Sequence, residues 1–79
     1  MNNEEKYDEV FINSFSLKQS DLDDNLVYES VSEWDSVGHM GMIAELEETF
    51  DIMLETDDII DFSSYKKGIE ILAKYKIEI

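Results

Sequence analysis

A carboxylate, a hydroxyl and an imidazole fall close together in Asp35-Ser36-Val37-Gly38-His39, and no other stretch of this sequence offers as much chemistry. The chain has one histidine and no cysteine, so a hydrolytic nucleophile would have to be a serine activated by His39. Ser36 and His39 stand three residues apart, near enough to meet on a helix. Helical projection nevertheless turns His39 toward the apolar face of its own segment, and nothing in so small a fold supplies an oxyanion hole. The expectation is a protein that is not itself an enzyme, with no catalytic residue and with His39 part-buried against a hydrogen-bonding partner. Ser36 then matters for where it is held.

Asp35 and Ser36 precede a run with apolar residues at helical spacing, which predicts a helix that starts at or beside Ser36. Unpaired backbone amides and the positive end of the helix dipole favour a negative group there, so a phosphate esterified to the serine oxygen would be well placed. At about 100° per residue the run carries two apolar stripes. Met42, Ile43, Leu46 and Phe50, with His39 among them, suit a core. Val37, Met40 and Ala44 form a second stripe that begins beside Ser36, flanked by Glu45, Glu47 and Glu48. A helix in so small a domain rarely buries both, so the second stripe is read as a patch shown to partners.

The rest of the chain must position this helix. Tyr7, Val10, Phe11, Ser14 and Phe15 follow the i, i+3, i+4, i+7, i+8 spacing of one helix face within residues 4–17, with Glu4, Glu5, Asp8 and Glu9 crowding its first turns. Residues 18–35 keep no helical period and are rich in turn formers, which predicts a long loop pinned by Leu22, Leu26, Val27, Tyr28, Val31 and Trp34. Trp34 either covers the core beside Ser36 or faces a partner. Asp21, Asp23 and Asn25 match the first, third and fifth places of a calcium loop, but Leu26 and Ser32 stand where its glycine and glutamate belong, and no metal site is expected. A short helix capped by Thr56 and packed through Ile59 and Phe62 should follow, with an opening between it and the Ser36 helix. Ser63 or Ser64 then caps a last helix with Tyr65, Ile69, Leu72 and Ala73 on its buried face, and residues 77–79 should fray. The expected fold is all-α: a small antiparallel bundle of three main helices plus one short helix, in a single domain over residues 1–79.

Seventy-nine residues bury only about 60% of their unfolded surface. The formal net charge of −14 is unevenly spread. No lysine or arginine lies between Lys18 and Lys66, an interval that holds 14 of the 20 acidic residues, and the six lysines balance the six acidic residues outside it. Such a field repels nucleic acid and anionic membrane and steers the chain toward basic patches on partner proteins. No apolar run approaches the roughly 20 residues that span a bilayer, and no leader-like segment opens the chain, which leaves a cytoplasmic monomer as the expectation.

The Asp35-Ser36-Val37 triplet, the Leu46-Glu47-Glu48-x-Phe50-Asp51 run and the flanking short helices resemble an acyl carrier protein over nearly the whole chain. In that family the serine of an Asp-Ser-[Leu/Val/Ile/Met] motif carries 4′-phosphopantetheine, donated from coenzyme A by a phosphopantetheinyl transferase. The resemblance implies that Ser36 is the modified residue of a phosphoprotein whose arm holds acyl or aminoacyl groups as thioesters, in fatty acid biosynthesis or a related pathway. It also implies that Asp35 contacts the transferase, with Val37, Met40 and Ala44 as the apolar recognition patch and Glu47 and Glu48 as its acidic flank. The partners implied are that transferase and acyl- or aminoacyl-loading and acyl-transferring enzymes. Gly38 and Gly41 stand where fatty-acid carriers usually have acidic residues, and they suit a close approach of a backbone, an arm or an acyl group. Trp34 replaces a commonly small residue, and the Trp34-to-Met40 string is closer to carriers of specialised pathways such as cell-surface polysaccharide assembly or D-alanyl transfer. The alternative is an acidic helical adaptor that binds a basic protein and uses Ser36 only at a helix cap.

Overall fold

The computed structural model describes residues 2–79 and is all-helical, with four α-helices: α1 (Asn3–Phe15), α2 (Ser36–Phe50), α3 (Thr56–Asp61) and α4 (Tyr65–Lys74). α1 starts from a reciprocal cap, in which the Asn2 side chain accepts from the Glu5 amide (2.8 Å) and the Glu5 carboxylate accepts from the Asn2 amide. Two amides that a helix start leaves orphaned are thereby satisfied. α2 is capped by Asp35, and α4 by Ser64, whose hydroxyl accepts from the Lys67 amide at 2.8 Å. α3 departs from the expected cap: Thr56 is its first helical residue, and Glu55 precedes it without a side-chain cap. The Glu55 amide instead donates to the Tyr75 hydroxyl (2.9 Å), so α3 is anchored through α4.

α1 and α2 pack together in opposite directions. Asn13 and Ser14 share a groove with Gly38 and Gly41, while Lys6 and Glu9 share one with Glu45 and Thr49. The predicted face of α1 turns inward, with Tyr7, Val10, Phe11 and Phe15 buried, and meets Met42, Ile43 and Leu46 of α2 in one core with Leu26, Trp34, Leu54, Phe62, Ile71 and Leu72. Phe11 stands at its centre, with the rings of Tyr7, Phe15, Trp34, Phe62 and Tyr65 all within 6.2 Å by centroid. Edge-on and offset aromatic contacts of this kind add about 0.5–1.5 kcal/mol per pair beyond area burial.

The last helix is phased differently from the expected pattern. Gly68, Ile71 and Leu72 are buried, while Tyr65 and Ile69 are half-buried and Ala73 is exposed. A Cβ at position 68 would run into the Phe62 ring and the Tyr7 hydroxyl, so this glycine lets α4 sit flat on the aromatic cluster. Residues 77–79 do not fray. Ile77 is buried, its amide donates to the Leu72 carbonyl (3.1 Å), and the Asn3 amide group donates to the Glu78 carbonyl (3.2 Å).

The connection between α1 and α2 contains a single 3-10 turn over Gln19–Asp21 and is tied down at its middle. Val27 bridges Ser64 antiparallel, the Tyr28 amide donates to the Ser63 carbonyl (2.8 Å), and the Tyr65 amide donates to the Leu26 carbonyl (2.9 Å). Of the expected pins, Leu26 and Trp34 are buried, Leu22 and Val31 pack partly, and Val27 and Tyr28 stay exposed. A polar lock sits beneath the loop: buried Asp8 accepts from the Tyr65 hydroxyl (2.5 Å) and from the Gln19 amide group (2.8 Å), while the Tyr7 hydroxyl donates to the Tyr65 carbonyl (2.6 Å). Burial, ahead of the neighbouring charges and hydrogen bonds, pushes both phenols well above the ordinary tyrosine range, so both remain donors. Among the described residues no helix is long and apolar enough to cross a membrane.

Candidate functional site

Ser36 is the first residue of α2 and is exposed. Asp35, the residue before it, has extended backbone and turns its carboxylate onto the Gly38 amide (2.8 Å), satisfying one orphan donor of the helix start. Asp35 is thus both exposed and structurally engaged. Gly38 has a local reason: a Cβ there would collide with the Glu33 carbonyl, so the chain entering the helix crosses directly over it. At Gly41 nothing lies within 4 Å of a Cβ position, and the structure gives no reason for glycine there.

The two stripes of α2 separate as their spacing requires. Met42, Ile43 and Leu46 are buried and Phe50 is half-buried, whereas Val37 is 80% exposed, Met40 is 54% exposed and Ala44 lies on the surface with them. Glu45 and Glu48 are exposed. Glu47 is half-buried, and its carboxylate accepts from the Leu54 amide (2.9 Å), tying α2 to the segment that leads into α3. This engagement needs a chain reversal after Asp51, whose left-handed conformation (φ 53°) ends α2, and no local pattern announces it.

Trp34 is fully buried, which resolves its placement in favour of core cover. Its indole N–H donates to His39 Nδ1 at 2.9 Å, and His39 Nε2 donates to the Ile59 carbonyl at 2.8 Å. Because an indole only donates and a carbonyl only accepts, the imidazole is held as the Nε2–H tautomer with both nitrogens occupied. No lone pair remains for the Ser36 hydroxyl, and the Ser36-His39 pairing considered from the sequence is not formed. The His39 ring lies nearly coplanar with Trp34, edge to edge (10° between planes), and meets Tyr28 and Phe62 edge-on, so one side chain joins the loop, α2 and α3.

A cleft of about 320 Å³ opens between α2 and α3, at the place where an opening was expected. Ser36, His39 and Met40 line it from one side, Ile59, Ile60, Phe62 and Ser63 from the other, with Tyr28 of the loop. Ile60, which spacing alone does not single out, is 72% exposed and extends the apolar surface of Met40 across the cleft. The signal for it was present in the adjacent Ile59 and Ile60, since neighbours in a six-residue helix cannot both face the core. Among the described residues no three His, Asp or Glu side chains are grouped to hold a metal ion. No protein-family model matches this chain, and no curated protein matches it.

Proposed function

We propose that this chain is a carrier protein bearing acyl or aminoacyl groups on a 4′-phosphopantetheine arm attached to Ser36. The observation that carries the reading is an exposed serine on the first turn of a helix, bordered by an apolar cleft and an acidic surface. The residues present suit such an arm: the hydroxyl is on the surface, the helix start favours a phosphate, and the cleft beside it is lined by Met40, Ile59, Ile60 and Phe62. When attached, the arm supplies the thiol that this cysteine-free chain lacks.

In loading, the Ser36 oxygen forms a bond to the β-phosphorus of coenzyme A as the pyrophosphate bond breaks. Adenosine 3′,5′-bisphosphate leaves, and the serine proton passes to a base of the transferase, because His39 has no free nitrogen. Asp35 keeps the first turn of α2 wound so that Ser36 stays in a fixed place. Val37 and Met40 present apolar area within a field of one sign, with exposed Asp35, Glu45 and Glu48 steering partners that carry basic patches. Contacts of small area, guided by charge, suit a protein that must release each partner in turn. Fatty acid biosynthesis and the specialised pathways share this requirement, and the reading places the chain in a compartment that holds coenzyme A, such as the cytoplasm.

Incubation with coenzyme A and a broad-specificity phosphopantetheinyl transferase should add the mass of one arm to the wild type. Ser36→Ala should stay helical by circular dichroism and gain nothing. An unmodified wild type under conditions that load a control carrier would refute the reading and leave the acidic adaptor in its place.

A further inference from the structure

We infer, resting on the carrier reading, that His39 is a specificity-determining crossbar that keeps the cleft shallow and confines a sheltered cargo to short acyl groups. The cleft that Ser36 lines lies between α2 and α3, so a chain attached at Ser36 that entered by it would meet the imidazole where it spans from Trp34 to the Ile59 carbonyl. The carbonyl lies in the last turns of a six-residue helix, where intrahelical donors run out, so removing His39 would leave it without its partner. Behind the ring the interior is closed. Trp34 stacks on Phe15 at 19° and 5.1 Å, and Phe62 and Trp34 are both buried.

What remains outside the crossbar is the cleft of about 320 Å³, at the low end of the roughly 300–1,000 Å³ typical of small-molecule sites. It is open to solvent and continues onto exposed Met40 and Ile60, so a short acyl group can rest there while a long one lies along the surface. The histidine thus acts on cargo through the space it occupies and takes no part in bond making.

The test loads acetyl, butyryl, octanoyl and palmitoyl arms from the corresponding acyl-coenzyme A onto the wild type and His39→Ala, with each product checked by intact mass. Thermal midpoint and Trp34 emission are then compared, Trp34 being the single tryptophan. The wild type should show the same midpoint and emission from octanoyl to palmitoyl. His39→Ala should gain several degrees over that series and shift its emission as the chain reaches the indole. A wild type that gains as steeply as the variant overturns the inference, and so does a variant as indifferent as the wild type, since the limit would then lie elsewhere. If His39→Ala does not fold, the Trp34 indole N–H resonance of the wild type decides alone: constancy across the long arms supports the crossbar, and a progressive shift overturns it. Absence of any arm mass fails the carrier reading and takes this inference with it, whereas loaded protein that swallows the long chains fails this inference only.

Discussion

Gly38 and Gly41 sit one turn apart on the same helix, and replacing each with alanine should move stability in opposite directions. On helix propensity alone both substitutions are favourable by up to about 1 kcal/mol, because glycine has the larger backbone entropy to lose. At Gly41 nothing opposes that gain, since a Cβ there has no neighbour within 4 Å. At Gly38 the Cβ meets the Glu33 carbonyl, a backbone atom beside fully buried Trp34, so relief requires moving the segment that carries the indole and the Asp35 cap. Overpacking of this kind costs about 1–3 kcal/mol, which outweighs the propensity gain and leaves a net loss of about 1 kcal/mol. For a domain of this size 1 kcal/mol is about 4–8 °C in thermal midpoint, so Gly41→Ala should melt higher by about that amount and Gly38→Ala lower. Calorimetric melts of the two variants beside the wild type read the difference directly. Arm attachment should also slow in Gly38→Ala, because the displaced segment is the one that presents Ser36, and stay near wild type in Gly41→Ala. Equal stabilisation by both would refute the close crossing of the loop over α2, and with it the account of how Ser36 is placed.

Two further outcomes follow from the surface and from the α3–α4 contact. Val37→Glu puts a carboxylate in the first turn of α2, where the dipole favours it, so stability should change by less than about 0.5 kcal/mol. Its kcat/KM with the transferase should nevertheless fall about tenfold, equivalent to about 1.4 kcal/mol, and unchanged kinetics would remove Val37 from the recognition patch. Asp58 accepts from Lys74 Nζ at 2.5 Å and from the Tyr75 hydroxyl at 2.6 Å, and these bonds, that from Lys74 first, hold its carboxyl below the ordinary value of 3.8. Its stabilisation is therefore complete above that value and lost as pH falls through the lower folded one. Lys74, raised above 10.5 mainly by the same bond, contributes below that value and loses its contribution as pH rises through the higher folded one. The urea midpoint of the wild type should exceed that of Asp58→Asn by a constant amount between these limits and by less at either extreme. A gap that persists into strong acid would show that the ion pair is not its source.

Legibility of this fold tracked how local each determinant is. The faces of α1 and the two stripes of α2 could be read because Tyr7, Val10, Phe11 and Phe15, or Met42, Ile43 and Leu46, repeat with the period of the element that buries them. α4 was misphased because its core-facing position 68 is a glycine, which carries no hydrophobic signal and is chosen for what packs against it. Asp8 reads as a first-turn acid, yet it is buried because Tyr65, far away in sequence, and Gln19, in the loop after α1, bring it hydrogen bonds. On α2, the start at Ser36 was visible from the residues that open the helix, and the exposure of Val37 and Met40 from their spacing. The bond from the Leu54 amide to Glu47 and the span of His39 to Ile59 depend on how the chain returns after α2, and no pattern within one helix encodes that return.

The bond from the Asn3 side chain to the Glu78 carbonyl brings both ends of the described chain to one spot. A brief flexible linker between residues 3 and 78 could therefore close the described helices into a ring, and the ring could be cut again at exposed residues 23–25, between the 3-10 turn and the Val27 bridge. The rearranged protein would keep every helix intact and would offer new attachment points for fusion partners, letting one be tethered from a different direction without altering the surface around Ser36.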